Sequence, residues 1–169
     1  VSDVTEAVGI GTSTFYQFFD SKEDLYLDVL LVERDRIHDE LVSALGSATT
    51  PREEAETVLR TMFAEVRSSP LTRRLFVHGE IRLIEDQLAG TTSIPDDPSE
   101  PEQMLTQFNE WVDREDFRLN DPDVVGGLFR SLLFVTQAQD TPLLPPDSYE
   151  AIEDHLIETV VDGLFLTDE

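Results

Sequence analysis

His38, His78 and His155 are the side chains of this chain best suited to metal or acid–base chemistry, and they are too scattered for it. None pairs with another at the i, i+4 spacing of a helical zinc site, and the absence of cysteine excludes disulfides and thiolate ligands. Neither a glycine loop that could cradle phosphate nor a nucleophile elbow occurs. The 36 aspartates and glutamates are spread along the whole chain instead of forming one block, the distribution of a solvated surface. The expectation is therefore a protein that is not an enzyme and carries neither cofactor nor metal.

The other polar cluster is Thr12, Ser13, Thr14, Tyr16, Gln17 and Lys22, and three helix signals surround it. Val1, Val4 and Val8 are spaced to line one face of a short helix, with Asp3 and Glu6 on the other. Gly9-Ile10-Gly11 follows as a turn whose glycines accept positive φ, with Ile10 as an apolar plug. The hydroxyls of Thr12, Ser13 and Thr14 suit the start of a second helix, and Phe15, Phe18 and Phe19 give it an apolar side. Ser21 can cap a third helix, with Asp24 three residues on to complete a variant of the capping box. Two short helices joined by a glycine turn form a helix-turn-helix, whose second helix can enter the major groove of DNA. The same pattern also describes a corner of any small helical bundle.

Gly9 to Leu25, reading GIGTSTFYQFFDSKEDL, resembles the recognition segment of the tetracycline-repressor (TetR) family without a gap. The preceding Val-x-Asp-Val-x-Glu-Ala-x-Gly is similar to that family's second helix. The resemblance covers about a sixth of the chain. It implies that Tyr16, Lys22 and Thr14 contact backbone phosphates and that Thr12, Ser13 and Gln17 read base edges, the partner being double-stranded DNA. Phe15 stands for the usual Leu and should remain core; Gly11 stands for the usual Ser, which hands the helix cap to Thr12. The family's first helix has no counterpart, and without it Val4, Ile10, Phe15 and Phe19 would face water. An alternative is a helical ligand-binding or interaction module that does not bind DNA.

Charge complicates this reading. Acidic residues outnumber basic ones 36 to 12, the formal net charge is −24, and Lys22 is the one lysine. Nucleic-acid-binding domains usually carry a basic patch, which Val1 to Glu33 lacks. At roughly 1 M ionic strength, however, the Debye length is about 3 Å and long-range repulsion is screened. Heavy Asp and Glu usage with almost no lysine resembles the proteins of extreme halophiles, which stay soluble in molar salt. No stretch has the apolar length of a membrane span or a signal peptide, so the expected location is cytoplasmic and no membrane partner is expected.

The elements that must carry the cluster read as all-α. The resemblance implies an incomplete DNA-binding head over residues 1–30 followed by a helical body over 31–169 that binds an effector and dimerises. Nine prolines partition the chain into helix-length blocks. The longest helix runs from Ser21 to about Leu45, with Leu25, Val29, Val32, Arg36, Ile37, Leu41 and Leu45 along one side. Pro51 to Ser68 turns Ala55, Val58, Leu59, Met62, Phe63 and Val66 inward, and Pro70 starts a short helix ending at the His78-Gly79 corner. Ile81, Leu83, Ile84 and Leu88 suggest another amphipathic piece, Ala89 to Glu102 a loop, and Met104 to Phe117 an aromatic-rich face.

Met62, Phe63, Phe76, Phe108, Trp111 and Phe129 could be plain core or could line a pocket for a small apolar effector, with His78 and Arg82 as its polar contact. Val124 to Val135 is apolar around most of its circumference and needs burial on two sides. Its Val124, Leu128, Leu132 and Val135, with Ile152, Leu156, Val160, Gly163 and Leu164, form the expected two-fold homodimer interface, where the resembling family builds a four-helix contact.

Overall fold

The computed structural model describes residues 1–80, 82–83, 108–140, 145 and 148–166, all helices, turns and connections. The fold is all-α, as expected; the one ladder contact among these residues is an isolated bridge between Phe117 and Phe165.

Local chemistry sets each boundary. Helix α1 (Ser2–Val8) stops at Gly9, whose φ of 70° lets its own N–H and that of Ile10 turn back to the Glu6 and Thr5 carbonyls at 3.2 and 3.0 Å. Helix α2 (Thr12–Phe15) is one turn long. Helix α3 (Lys22–Leu45) starts where the Ser21 hydroxyl accepts the Asp24 N–H at 3.0 Å, the cap expected from the sequence. Helix α4 (Pro51–Ser68) has proline in its first turn, and the Thr50 hydroxyl accepts the Glu53 N–H at 3.2 Å. Ser69 ends α4 and caps helix α5 (Pro70–Phe76), accepting the Thr72 N–H at 3.2 Å. Residues 108–112 form a further helical turn. Asp121 caps helix α6 (Pro122–Leu133), which runs on as the 3-10 helix η1 (Phe134–Asp140), and helix α7 (Tyr149–Leu164) ends the described chain.

Helix α4 is the central pillar. It packs against α3, α5, α6 and α7, and all six of its expected inward residues, Ala55 through Val66, are buried. Around it lie Leu30, Ile37 and Leu41 from α3, Leu75 from α5, Val125, Phe129 and Leu133 from α6, and Ile157, Val161 and Leu164 from α7. The Arg118 N–H donates to the Leu164 carbonyl and the Leu166 N–H to the Asp116 carbonyl, both at 2.8 Å, tying the end of α7 to the turn before α6.

Four expectations change. The buried face of α3 is Leu30, Glu33, Ile37 and Leu41, while Val29 and Arg36 are exposed and Val32 is 70% exposed. Phe18 does not join an apolar helix side, because α2 ends at Phe15, and it is 73% exposed. Phe15 is buried and does not face water, whereas Val4 and Ile10 are exposed and Phe19 is half-buried. Val124 to Val135 is not one continuous α-helix, since its last residues belong to η1. Ile81, Ile84, Leu88, the loop Ala89 to Glu102, and Met104 and Leu105 lie outside the described residues.

Candidate nucleic-acid interface

Phe15 anchors the N-terminal pair. Its ring is 2% exposed, meets Tyr16 edge-on at 5.2 Å between centroids and lies 5.4 Å from Phe19. Thr5 on α1 is buried too, its hydroxyl donating to the Ser2 carbonyl at 3.0 Å. The Thr14 and Phe15 N–H groups close on the Gly11 carbonyl at 2.9 and 3.2 Å, so Gly11 itself is the N-cap of α2 and Thr12 its first helical residue. The transfer of the cap to Thr12 is thereby corrected: α2 has no side-chain cap bond, and Gly11 supplies only backbone.

With Phe15 turned inward, Thr12, Ser13, Tyr16, Gln17 and Lys22 are exposed and Thr14 is half-buried. Tyr16 keeps 54% of its surface accessible despite the ring contact, which leaves its phenol free to meet a partner. Lys22 is the first residue of α3, and its ammonium lies 3.5 Å from the Glu23 carboxylate, with both side chains largely in solvent. An exposed pair of this kind contributes little, so the ammonium can exchange Glu23 for a phosphate at small cost. The cluster offers hydroxyls, one amide and one cation, groups suited to hydrogen-bonded recognition. Among the described residues no group of three or more histidines and carboxylates is placed to hold a metal ion.

The expected effector residues separate into two groups. Phe108, Trp111 and Phe129 pack on one another with centroids 5.5, 5.5 and 5.9 Å apart, and Met62 and Phe63 are buried in the same core. Phe76 packs half-buried at its edge, while His78 and Arg82 are exposed beyond α5. Gly126 allows Phe108 to approach closely: a Cβ there would meet the Phe108 ring at 3.3 Å. Of the expected interface residues, Leu128, Leu132, Val135, Ile152, Leu156 and Val160 are half-buried and Val124 and Gly163 are exposed. Leu164 belongs instead to the core of its own chain, at 3% exposure, because α7 buries the face carrying Tyr149, Glu153, Ile157, Val161 and Leu164.

Two polar constellations escaped the sequence reading. The Glu33 carboxylate, inside the α3–α5 junction, accepts from Arg36 at 3.0 and 3.1 Å and from the Ser69 and Thr72 hydroxyls at 2.6 Å each. The Arg36 guanidinium, then the two hydroxyls, hold its pKa down at about 2 against the opposing effect of burial. Arg36 also pairs with Glu65, joining α4 to the same junction. The Tyr26 hydroxyl donates to Glu80, Arg74 pairs with Glu80 at 2.6 Å, and the Arg74 guanidinium lies over the Tyr26 ring at 5.5 Å. The signal that could have found the first was Ser69 and Thr72 framing a proline helix start opposite a glutamate in an otherwise apolar face.

No known family model matches the chain. A 72-residue stretch is 26% identical to the HTH-type transcriptional regulator BetI of Rhizobium meliloti (strain 1021), covering 43% of this chain and 36% of that protein. The chain thus matches little more than a third of that relative's length. Among solved structures, the ketosteroid transcriptional regulator KstR2 of Mycobacterium tuberculosis is similar with a TM-score of 0.60 at 18% identity, over 98% of this chain and 84% of that one. The superantigen PfiT gives 0.64 at 16% identity, over 98% and 85%. This chain has the all-α fold those two molecules share.

Proposed function

We propose that the chain is a TetR-like, DNA-binding transcriptional regulator, a ligand-responsive repressor that binds a palindromic operator as a homodimer and takes a small apolar effector in its body. The observation carrying this reading is the α1–turn–α2 unit: Gly9 sets the corner, Phe15 is buried, and Thr12, Ser13, Tyr16 and Gln17 remain exposed. The regulator BetI supports it in sequence and KstR2 in fold. Residues 1–30 serve as the DNA head and 31–169 as the body, and the half-exposed faces of α6 and α7 supply the dimer contact. Tyr16, Thr14 and Lys22 position the protein on phosphates; Thr12, Ser13 and Gln17 read bases. With a net charge of −24 and one lysine, the protein works in a salt-rich cytoplasm.

The test is a binding panel at fixed molar KCl, with the full chain and its variants against selected operator and scrambled duplexes. Tyr16→Phe and Lys22→Ala weaken binding to all sequences alike, while Gln17→Ala alters which operator is preferred by about tenfold, the scale of one bidentate base contact. Uniform loss with Gln17→Ala and a shifted preference with Lys22→Ala would reverse the assigned roles. No binding by any variant or by the parent chain would favour the second reading, a helical module without DNA activity, for which the absence of a basic patch over residues 1–33 speaks.

A further inference from the structure

Helix α7 does not end in solvent. After Leu164 the backbone turns extended at Phe165, with φ −106° and ψ 140°, and lies antiparallel to the turn before α6. Two hydrogen bonds of 2.8 Å hold the pair, from the Arg118 N–H to the Leu164 carbonyl and from the Leu166 N–H to the Asp116 carbonyl. Phe117 and Phe165 sit between these bonds and exchange none, the pairing in which facing side chains come closest. Their rings meet edge-on with centroids 5.0 Å apart, and both are buried. Phe117 in turn lies 6.3 Å from Trp111, whose other ring neighbours are Phe108 and Phe129. Phe165 is therefore the last ring of an aromatic series that begins inside the helical body.

We propose that Phe165 is a built-in occupant of an aromatic site, and that a small neutral molecule carrying one aromatic ring takes its place by displacing residues 165 and 166. This deepens the reading of the body as effector-binding and rests on it. The rings of the series are held unequally. Trp111 is tied by its indole N–H to Glu54 at 2.9 Å, and Phe108 lies against Gly126, where even a Cβ would crowd it. Phe165 has its ring contact, the two bridge bonds and a last helical bond of 3.3 Å from its N–H to the Val161 carbonyl. Leu166, which closes the bridge, has half of its surface in solvent, so water competes for its bond. Withdrawal of the benzyl group leaves an apolar hollow against the Phe117 ring, and dry apolar hollows take up benzene-like molecules instead of water. Charge selects as well as shape. Two carboxylates border the series, Glu54 on the Trp111 indole and Asp116 paired with Arg114 at 2.8 and 2.9 Å, on a chain of net charge −24, which disfavours an anionic ligand.

Toluene, the phenylalanine side chain as a free molecule, is the probe. Amide exchange of the full chain is followed by nuclear magnetic resonance in molar KCl, with and without toluene at aqueous saturation. In the parent, toluene speeds exchange at Arg118 and Leu166 about tenfold, the loss of one backbone hydrogen bond, and leaves Ile157 and Val161 unchanged. In Phe165→Ala, acrylamide quenches the single tryptophan, Trp111, severalfold more than in the parent, and toluene restores the shielding. Unaltered exchange at Arg118 and Leu166 in the parent would overturn the proposal even if toluene fills the space in Phe165→Ala, because Phe165 would then be ordinary core. Faster exchange along the whole of α7 would overturn it too, as general loosening. Toluene-induced shifts around Met62 and Phe63 without faster exchange at the bridge would leave an apolar effector site in the body standing and remove this one. The parent measurement decides the matter if Phe165→Ala fails to fold, and neither readout involves DNA.

Discussion

Glu33 and Glu153 are both 8% exposed, yet their surroundings push them in opposite directions. Glu33, where α3 meets α5, is held well below the ordinary glutamate value, first by Arg36 and then by Ser69 and Thr72. Glu153, on the seam between α4 and α7, is pushed up because burial outweighs its contact with Arg67 at 3.0 Å. Equal burial therefore does not mean equal effect. A carboxylate surrounded by several donors is a structural fastening; one with a single guanidinium, itself partly in water, is a tolerated cost.

The largest effect expected from breaking this contrast is at Glu33. Its folded pKa of about 2 lies below the unfolded value of 4.5, so its contribution is present above the unfolded value and is lost as pH falls through the folded one. Glu33→Gln should cost about 2–3 kcal/mol at neutral pH. Denaturant titrations of parent and variant across pH should show a constant gap above about 4.5 that closes toward 2. A gap independent of pH would mean that shape, not charge, matters there.

At Glu153 the sign reverses. Because its folded pKa is raised, ionising it opposes folding, and stability falls as pH rises above the ordinary carboxylate range. Glu153→Gln should therefore be neutral or stabilising by less than about 1 kcal/mol at neutral pH, the gain fading in acid. A clear destabilisation in the same titration would place Glu153 with Glu33 and dissolve the contrast.

The smallest effect should come from the outer part of the same seam. Arg52 reaches Asp162, and Arg60 reaches Glu56 at 2.9 Å and Asp154 at 2.5 Å, with all five side chains substantially in solvent. Arg60→Ala should cost below about 1 kcal/mol in dilute buffer and nothing measurable in molar KCl. Thermal melts at both salt concentrations decide it; a cost that survives molar salt would show that the seam depends on Arg60 packing and not its charge.

What the sequence disclosed about these regions follows from how local each determinant is. Helix α4 was legible throughout, since its proline start, its cap and its period of inward residues all lie within one segment and partners cover it on several sides. The cap at Ser21 and the corner at Gly9 were legible for the same reason. The inward face of α3 was misread because it carries more apolar residues than one face holds, and the decisive member is a glutamate. Besides Arg36 one turn on, the partners of this inward carboxylate are Ser69 and Thr72, far along the chain, which no local pattern reveals. In the candidate site, Phe15 is buried, as expected of the residue that stands for the usual Leu. The extent of α2 differs from the expectation, because the helix ends at Phe15 and leaves Phe18 outside.

Trp111 gives the molecule a built-in optical reporter. It is the single tryptophan, lies at 1% exposure among Phe108, Phe117 and Phe129, and donates its indole N–H to Glu54 at 2.9 Å. Its emission will follow the helices around α4 and stay silent while α1 and α2 melt. Far-ultraviolet circular dichroism sums over every helix, so the interval between the two unfolding curves measures how independently the recognition turn comes apart from its support.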